Sequence, residues 1–121
     1  MTNEQREIFM SASDYMKKFI PGMKQICKEF QRGEIGNIND FVNAMEGFAW
    51  LMEVLELTTG IHNIEIEYML IEKYLEQVNE FLDKSAYECV ADITVATLVP
   101  LVEIWSEEIE SVLGEVPTFL N

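Results

Sequence analysis

Apolar residues recur at alternating steps of three and four along most of this chain, and this spacing is the strongest constraint on its fold. Such a repeat places apolar side chains on one face of an α-helix. It occurs in four segments, with the stripes Phe9, Ala12, Met16, Phe19, Met23, Ile26, Phe30; Ile38, Phe41, Met45, Phe48, Met52, Leu55; Ile61, Ile64, Tyr68, Ile71, Leu75, Val78, Leu82; and Tyr87, Ala91, Thr94, Leu98, Leu101, Trp105, Ile109, Val112. No alternating apolar and polar run is long enough to predict a strand. The sequence therefore predicts an all-α protein.

Glycines and small polar residues predict where the four helices begin and end. Gly33 suits the residue after a helix C-terminus, and an asparagine suits a helix N-cap. The predicted boundaries are Gly33 after helix 1, Asn37 or Asn39 before helix 2, Thr59-Gly60 after it, Ile61 at the start of helix 3, a capping box at Ser85-Ala86-Tyr87-Glu88 before helix 4, and Gly114 at its end. Short connections favour an antiparallel up-and-down four-helix bundle, and we expect one domain over residues 1–121.

Two prolines fall inside the predicted helices. Pro21-Gly22 interrupts the first stripe without shifting its register, which favours one helix kinked at Pro21 over two separate helices. Pro100 lies in VATLVPLVEIW, residues 95–105, the most apolar stretch of the chain. We interpret this stretch as a central core helix that Pro100 bends, freeing the carbonyl of Ala96 for Thr97 or a water. A kink that opens a pocket is the alternative.

The charge of the chain limits its partners. Lys and Arg together number 8 and Asp and Glu 22, for a formal net charge of −14. Nucleic acids and anionic membrane surfaces are disfavoured, because binding them requires cations. Six of the eight basic residues lie in residues 1–32, so we expect helix 1 to be attracted to the three acidic helices.

The cysteines and the chain start predict a cytoplasmic protein. Cys27 and Cys89 fall in apolar helical segments, where we expect both thiols to be buried, reduced and unreactive. The opening residues MTNEQREIF lack the charged and then apolar pattern of a signal peptide. Residues 86–105 contain Glu88, Asp92 and Glu103, too many charges for a membrane span.

The residues that support catalysis in helical bundles are scarce. A metal centre built from several inward-facing histidines is excluded, since His62 is the only histidine in the sequence. No cofactor is expected. Glu53-x-x-Glu56 followed after 23 residues by Glu80-x-x-Asp83 resembles the Mg²⁺-binding carboxylates of all-α nucleotide pyrophosphohydrolases. Antiparallel helices would hold Asp83 about 24 Å from the first pair, so the carboxylates expected to converge are Glu53, Glu56 and Glu65, beside His62.

Methionines and one tryptophan suggest a surface that binds proteins. Met45, Met52 and Met69 lie in helices 2 and 3, and methionine surfaces adapt to partner helices. Trp50 lies beside the second stripe, where a ligand or subunit would cover it. Glu46, Glu53 and Glu56 are expected to form an acidic rim that attracts a basic partner. The alternative is that the methionines fill the core and the acids are only solvated.

The order of these features resembles that of the flagellin-export chaperones. The stretches that carry the resemblance are CKEFQRGEIGNINDFVNAMEGF and LVPLVEIWSEEI. The first has the loop of that family between helices 1 and 2, and the second has its late tryptophan. The resemblance implies a small acidic cytosolic bundle that binds a helical client, and it transfers the role of no individual residue.

The sequence therefore predicts a non-enzymatic helical bundle that binds another protein or itself. The alternative is a divalent-metal-dependent nucleotide pyrophosphohydrolase that uses the carboxylate cluster.

Overall fold

The first helix, α1, spans Asn3–Gln31 in the computed structural model, which describes residues 1–115. Thr2 and Gln5 close its N-terminus as a capping box, in which each side-chain oxygen accepts the other's backbone N–H. Gly33 has a φ of +79° and donates its N–H to Phe30 O, while Glu34 N–H donates to Glu29 O. These two bonds form a Schellman motif, so the helix end predicted at Gly33 is confirmed.

The predicted stripe of α1 forms much of the core. Its residues are buried except Ile26, which is half-buried, and Cys27 is buried beside them. The helix continues through Pro21 without a break, as the unchanged register of the stripe predicted. Proline has no N–H to donate to the carbonyl four residues earlier. It is tolerated at this position because Pro21 and Gly22 lie on the exposed side of the helix.

The second helix, α2, spans Ile38–Leu57. Asn37 precedes it, as predicted, but its side chain does not cap the helix and instead donates to the Glu29 carboxylate. The buried residues are Phe41, Phe48, Leu51, Val54 and Leu55, while Met45 and Met52 are half-buried. The buried face is therefore centred slightly to one side of the predicted stripe.

The third helix, α3, spans Tyr68–Asp83, so the prediction that it begins at Ile61 is wrong. Residues 58–67 form a connector that holds only an isolated bridge between Thr59 and His62. In the connector Ile64 and Ile66 alternate with the exposed residues Asn63, Glu65 and Glu67. This alternation is typical of extended backbone, and β-branched isoleucine favours it.

The fourth helix, α4, has three consecutive parts: α-helical Tyr87–Ile93, π-helical Thr94–Leu98 and α-helical Val99–Glu115. Val99 N–H donates to Thr94 O, five residues back. The widened turn lies just before Pro100, which has no N–H to continue an α-helical ladder. The Thr97 hydroxyl donates to Ile93 O rather than to Ala96 O, the acceptor that the sequence suggested.

The turn before α4 differs from the predicted capping box. Ala86 is the N-cap residue, and no side chain caps the helix. Ser85 instead ends α3 with a φ of +54°, where Ser85 N–H donates to Leu82 O and Ala86 N–H donates to Phe81 O. This is a second Schellman motif, with serine at the position that usually carries glycine.

Replacing Ser85 with glycine should raise the free energy of unfolding by about 0.5–1 kcal/mol, because glycine adopts a positive φ without strain. Urea unfolding followed by circular dichroism measures this change. Ser111→Gly is the matched control: Ser111 is exposed within α4, so the same substitution there should destabilise the protein by about 0.5 kcal/mol. Destabilisation by Ser85→Gly would contradict the strained turn.

The helices form an antiparallel up-and-down bundle, as predicted. α1 packs along all of α4, α2 packs on α1, and α3 packs on the first half of α4. Lys17 pairs with Glu110 at 2.8 Å, Lys24 with Glu103 at 3.7 Å, and Gln31 donates to Asp92. The expected attraction between basic α1 and an acidic helix is thus present, although exposed ion pairs contribute only about 0–1 kcal/mol each.

Within the described residues, one helix, Tyr87–Gly114, has the length and composition of a membrane span. A core helix meets the same criteria, and this one buries Val90, Leu98 and Val102 completely. Leu98 is buried, as a central core helix predicts, whereas Leu101 is only half-buried. The tail EVPTFLN contains Phe119 and Leu120, which the sequence predicts to be exposed, and both lie outside the described residues.

The two cysteines differ in their surroundings, so the prediction that both are buried is wrong for Cys89. Cys27 is buried, and burial, with the nearby charge of Asp92, raises the pKa of its thiol to about 11. Cys89 is exposed. It lies two residues from both Tyr87 and Ala91 of the stripe, about 160° around the helix from each, and therefore faces away from the core.

Candidate functional site

Trp50 lies on the side of α2 that faces α1. Its indole ring meets Tyr15 of α1 edge to face, with 5.9 Å between ring centroids. Gly47, one turn earlier on α2, leaves room for Tyr15, because an added Cβ there would overlap the phenol ring. Partial burial raises the pKa of the Tyr15 phenol above its ordinary value. Trp50 is therefore held against α1 while 39% of it remains exposed.

A cleft opens beside Trp50 at the end of the bundle that holds the start of α1 and the end of α2. Its volume is about 210 Å³, and we call it the Trp50 groove; it is lined by Ile8, Trp50, Glu53, Val54, Leu57 and Thr58. Three of these residues are large, apolar and accessible, since Ile8 is 42% and Leu57 77% exposed beside Trp50. Clustered exposed apolar residues with a charged residue at their edge are typical of protein-binding surfaces.

A second depression follows on the other side of the Tyr15–Trp50 contact. It has a volume of about 300 Å³ and is lined by Tyr15, Lys18, Phe19, Gly22, Met23, Ile26, Asp40, Asn43 and Ala44. The two depressions lie along the same line, where α1 and α2 meet at the surface. We call this line, from Ile8 to Ile26 of α1, the α1/α2 seam.

The predicted binding residues do not form a single surface. Trp50 and Glu53 line the Trp50 groove. Met45 and Met52 lie about 140–160° around α2 from Trp50, at 100° per residue, and both are half-buried against the core. Met69, 84% exposed, lies in the first turn of α3. The methionines are thus separated from the tryptophan that they were predicted to flank.

Glu56 lies near the start of α3 rather than on the Trp50 side. Burial, the charge of Glu56 and a hydrogen bond to Glu56 together raise the pKa of Tyr68. The interaction joins the last turn of α2 to the first turn of α3. Glu56 therefore has a partner within the bundle, whereas Glu46 and Glu53 are exposed on α2 and in no ion pair found in residues 1–115.

His62 is a structural residue of the connector. Its Nε2–H donates to Leu55 O at 2.8 Å, and its Nδ1 accepts from Ile64 N–H at 3.0 Å. The ring is buried, 6.2 Å from the ring of Phe9. Because both nitrogens bind backbone groups, His62 has no free nitrogen for a metal ion.

The structure does not bring Glu53, Glu56, Glu65 and His62 together as a metal-binding group. Among residues 1–115, no three or more His, Cys, Asp or Glu residues are placed to hold a metal ion. The four-carboxylate spacing does not converge either. Glu56 contacts Tyr68 at the start of α3, and Glu80 lies about 18 Å further along that helix.

Sequence reasoning missed Ile8, Tyr15 and Leu57, which complete the exposed surface around Trp50. Leu57 lies seven residues after Trp50 and therefore shares its side of α2, a signal that the sequence contains. The contributions of Ile8 and Tyr15 depend on how α1 packs against α2. A repeat read along single helices does not give that pairing.

Comparison with known proteins gives a family and no function. A family model described as "Domain of unknown function (DUF8042)" matches residues 7–108, most of the chain, and the chain belongs to that family. No curated protein and no solved structure matches it.

Proposed function

We propose that this member of the DUF8042 family is a non-enzymatic module that binds other proteins through the Trp50 groove. The observation that carries the proposal is the exposed cluster of Ile8, Trp50 and Leu57. Tryptophan is enriched among the residues that dominate binding energy, and such residues fit pockets ringed by less important contacts. Trp50 is also held in place by Tyr15, which lowers the entropy lost when a partner orders it.

The charges beside the groove suit protein recognition. Residues 38–83, which contain α2, the connector and α3, hold ten acidic residues and one basic residue, Lys73. Acidic groups at the edge of an apolar surface accelerate association with a basic partner and contribute to specificity. The nucleotide hydrolase has no such support among residues 1–115, since His62 bonds to backbone groups and no three Asp, Glu, His or Cys residues are placed to hold a metal ion.

Trp50→Ala should weaken partner binding by at least about 2 kcal/mol, roughly a 30-fold loss of affinity. It should lower the free energy of unfolding by less than about 1.5 kcal/mol, because Trp50 is 39% exposed and its truncation removes the ring contact with Tyr15 and no fully buried side chain. Binding can be measured by capture from a lysate of the host cell, with quantitative mass spectrometry of the bound proteins. Sedimentation velocity measures self-association in the same samples.

Met10→Ala is the matched control. Met10 is exposed on α1, but it lies about 160° around the helix from Ile8 and away from the groove. Proteins captured by the native chain and by Met10→Ala but lost with Trp50→Ala are partners of the groove. If Trp50→Ala retains every partner, or if it unfolds the domain, Trp50 is not a binding residue and the proposal fails.

A further inference from the structure

We infer that the partner is a basic amphipathic α-helix that lies along the α1/α2 seam, and not a second copy of this chain. This inference rests on the proposed function and names the kind of partner that the same surface would bind. It follows from the length of the seam, the spacing of its apolar and acidic residues, and the charge of the chain.

The seam has the dimensions of a helix-binding groove. Its two depressions, of about 210 and 300 Å³, lie on either side of the Tyr15–Trp50 contact. From Ile8 to Ile26 the seam follows 18 residue steps along α1, or about 27 Å at 1.5 Å per step. A partner helix of about 18 residues would therefore span both depressions, with apolar side chains entering each.

The exposed side of α2 has a seven-residue repeat. Trp50 and Leu57 are one repeat apart, and so are Glu46 and Glu53, which lie about 40–60° around the helix from Trp50. Apolar residues with flanking charges at this spacing are what one helix of a coiled coil presents to another. The complementary helix carries an apolar stripe of its own, flanked by lysine or arginine opposite Glu46 and Glu53.

The same charges oppose binding of a second copy. Each chain has a formal net charge of −14, and α2 contains no basic residue. On α1, Lys17 and Lys24 already pair with Glu110 and Glu103. Lys18 is the one basic residue that lines the two depressions, so the acids of α2 outnumber it at the seam. Two copies meeting at this surface would bring acidic rims together, and like charges across an interface are unfavourable.

The experiment uses two fluorescent 18-residue peptides of leucine, lysine and alanine with identical composition. In the striped peptide, leucines recur at steps of three and four with lysines beside them; in the scrambled peptide the stripe is absent. Fluorescence polarisation at 150 mM salt measures the affinity of the full chain for each. We expect the striped peptide to bind at least about 10-fold more tightly than the scrambled one, and to shield Trp50 from acrylamide while leaving the buried Trp105 unchanged.

Two double variants separate a specific site from general attraction. Glu46→Lys with Glu53→Lys changes the seam, and Glu72→Lys with Glu76→Lys makes the same charge change on exposed positions of α3. We expect at least about a 10-fold loss of striped-peptide affinity for the first pair and less than about 2-fold for the second. Equal losses, or equal binding of the scrambled peptide, would mean general charge attraction and would overturn the inference.

The remaining outcomes distinguish this inference from the function on which it rests. If Trp50→Ala abolishes the capture of cellular partners while neither peptide binds the groove, the protein-binding function stands and the basic helix is wrong. If the native chain sediments as a dimer that Trp50→Ala dissociates, the occupant is a second copy. If Trp50→Ala changes neither capture nor sedimentation, the proposed function itself fails.

Discussion

Replacing Leu98 with alanine should lower the free energy of unfolding by about 2–5 kcal/mol, the range for a large-to-small change in a protein core. Leu98 is fully buried at the end of the π-helical turn, within the helix that packs on both α1 and α3. Truncation removes buried apolar surface and leaves a cavity that these neighbours cannot readily fill. Urea unfolding followed by circular dichroism gives the free energy, and an unchanged m-value shows that the loss is one of stability.

Ile104→Ala is the matched control for Leu98→Ala. Ile104 is a branched aliphatic residue of the same helix, but 61% of it is exposed. Its truncation should change stability by about 0.5 kcal/mol or less. A loss below 1 kcal/mol for Leu98→Ala, or equal losses for both variants, would show that α4 is not the centre of the core.

The parts of the fold that the sequence predicted are those in which local pattern and packing agree. The stripe of α1 predicts its buried face because a 29-residue helix averages out ambiguity at single positions. Gly33 marks the helix end because a positive φ favours glycine. Both signals arise from the backbone and side chains of one segment, so neither requires knowledge of the neighbouring helices.

The errors occurred where one pattern fits two structures. Ile61, Ile64 and Tyr68 step by three and four, but isoleucine and glutamate also alternate from Ile64 to Glu67. Contacts with distant residues favour the extended form, since Asn63 N–H donates to Glu108 and His62 binds Leu55 O. Likewise, Ser85 suits a capping box in sequence, yet the structure uses it to end α3.

The candidate site was predictable in its central residue and not in its shape. Trp50 stands out as a large aromatic residue beside an apolar stripe, and the structure places it at a partly exposed position. Which residues surround Trp50 depends on which side of α2 faces α1. Because Tyr15 fixes that side, the exposed apolar residues around Trp50 are Ile8 and Leu57 rather than the methionines.

Replacing His62 with phenylalanine should lower the free energy of unfolding by about 2–4 kcal/mol, although the aromatic ring is retained. The change removes the acceptor for Ile64 N–H and the 2.8 Å donor to Leu55 O, which keeps only the Thr58 hydroxyl at 3.4 Å. A buried backbone group left without a partner costs about 1–3 kcal/mol. Urea unfolding measures the loss, and Thr59→Val is the control, since the exposed Thr59 hydroxyl also bonds to backbone and its removal should cost less than about 1 kcal/mol.

His62→Phe, together with Glu53→Gln, tests whether His62 only holds the connector or also binds a metal ion. If His62 only holds the connector, its replacement destabilises the protein equally with and without a divalent cation, because its ring nitrogens bond to backbone groups. A metal ligand would instead make the native protein gain stability from Mg²⁺ or Mn²⁺, and that gain would disappear in His62→Phe and in Glu53→Gln. We expect neither cation to shift the unfolding midpoint of the native chain by more than it shifts that of Glu53→Gln. If Mg²⁺ or Mn²⁺ stabilises the native chain but neither variant, the nucleotide hydrolase is favoured. That result would contradict a purely structural role for His62.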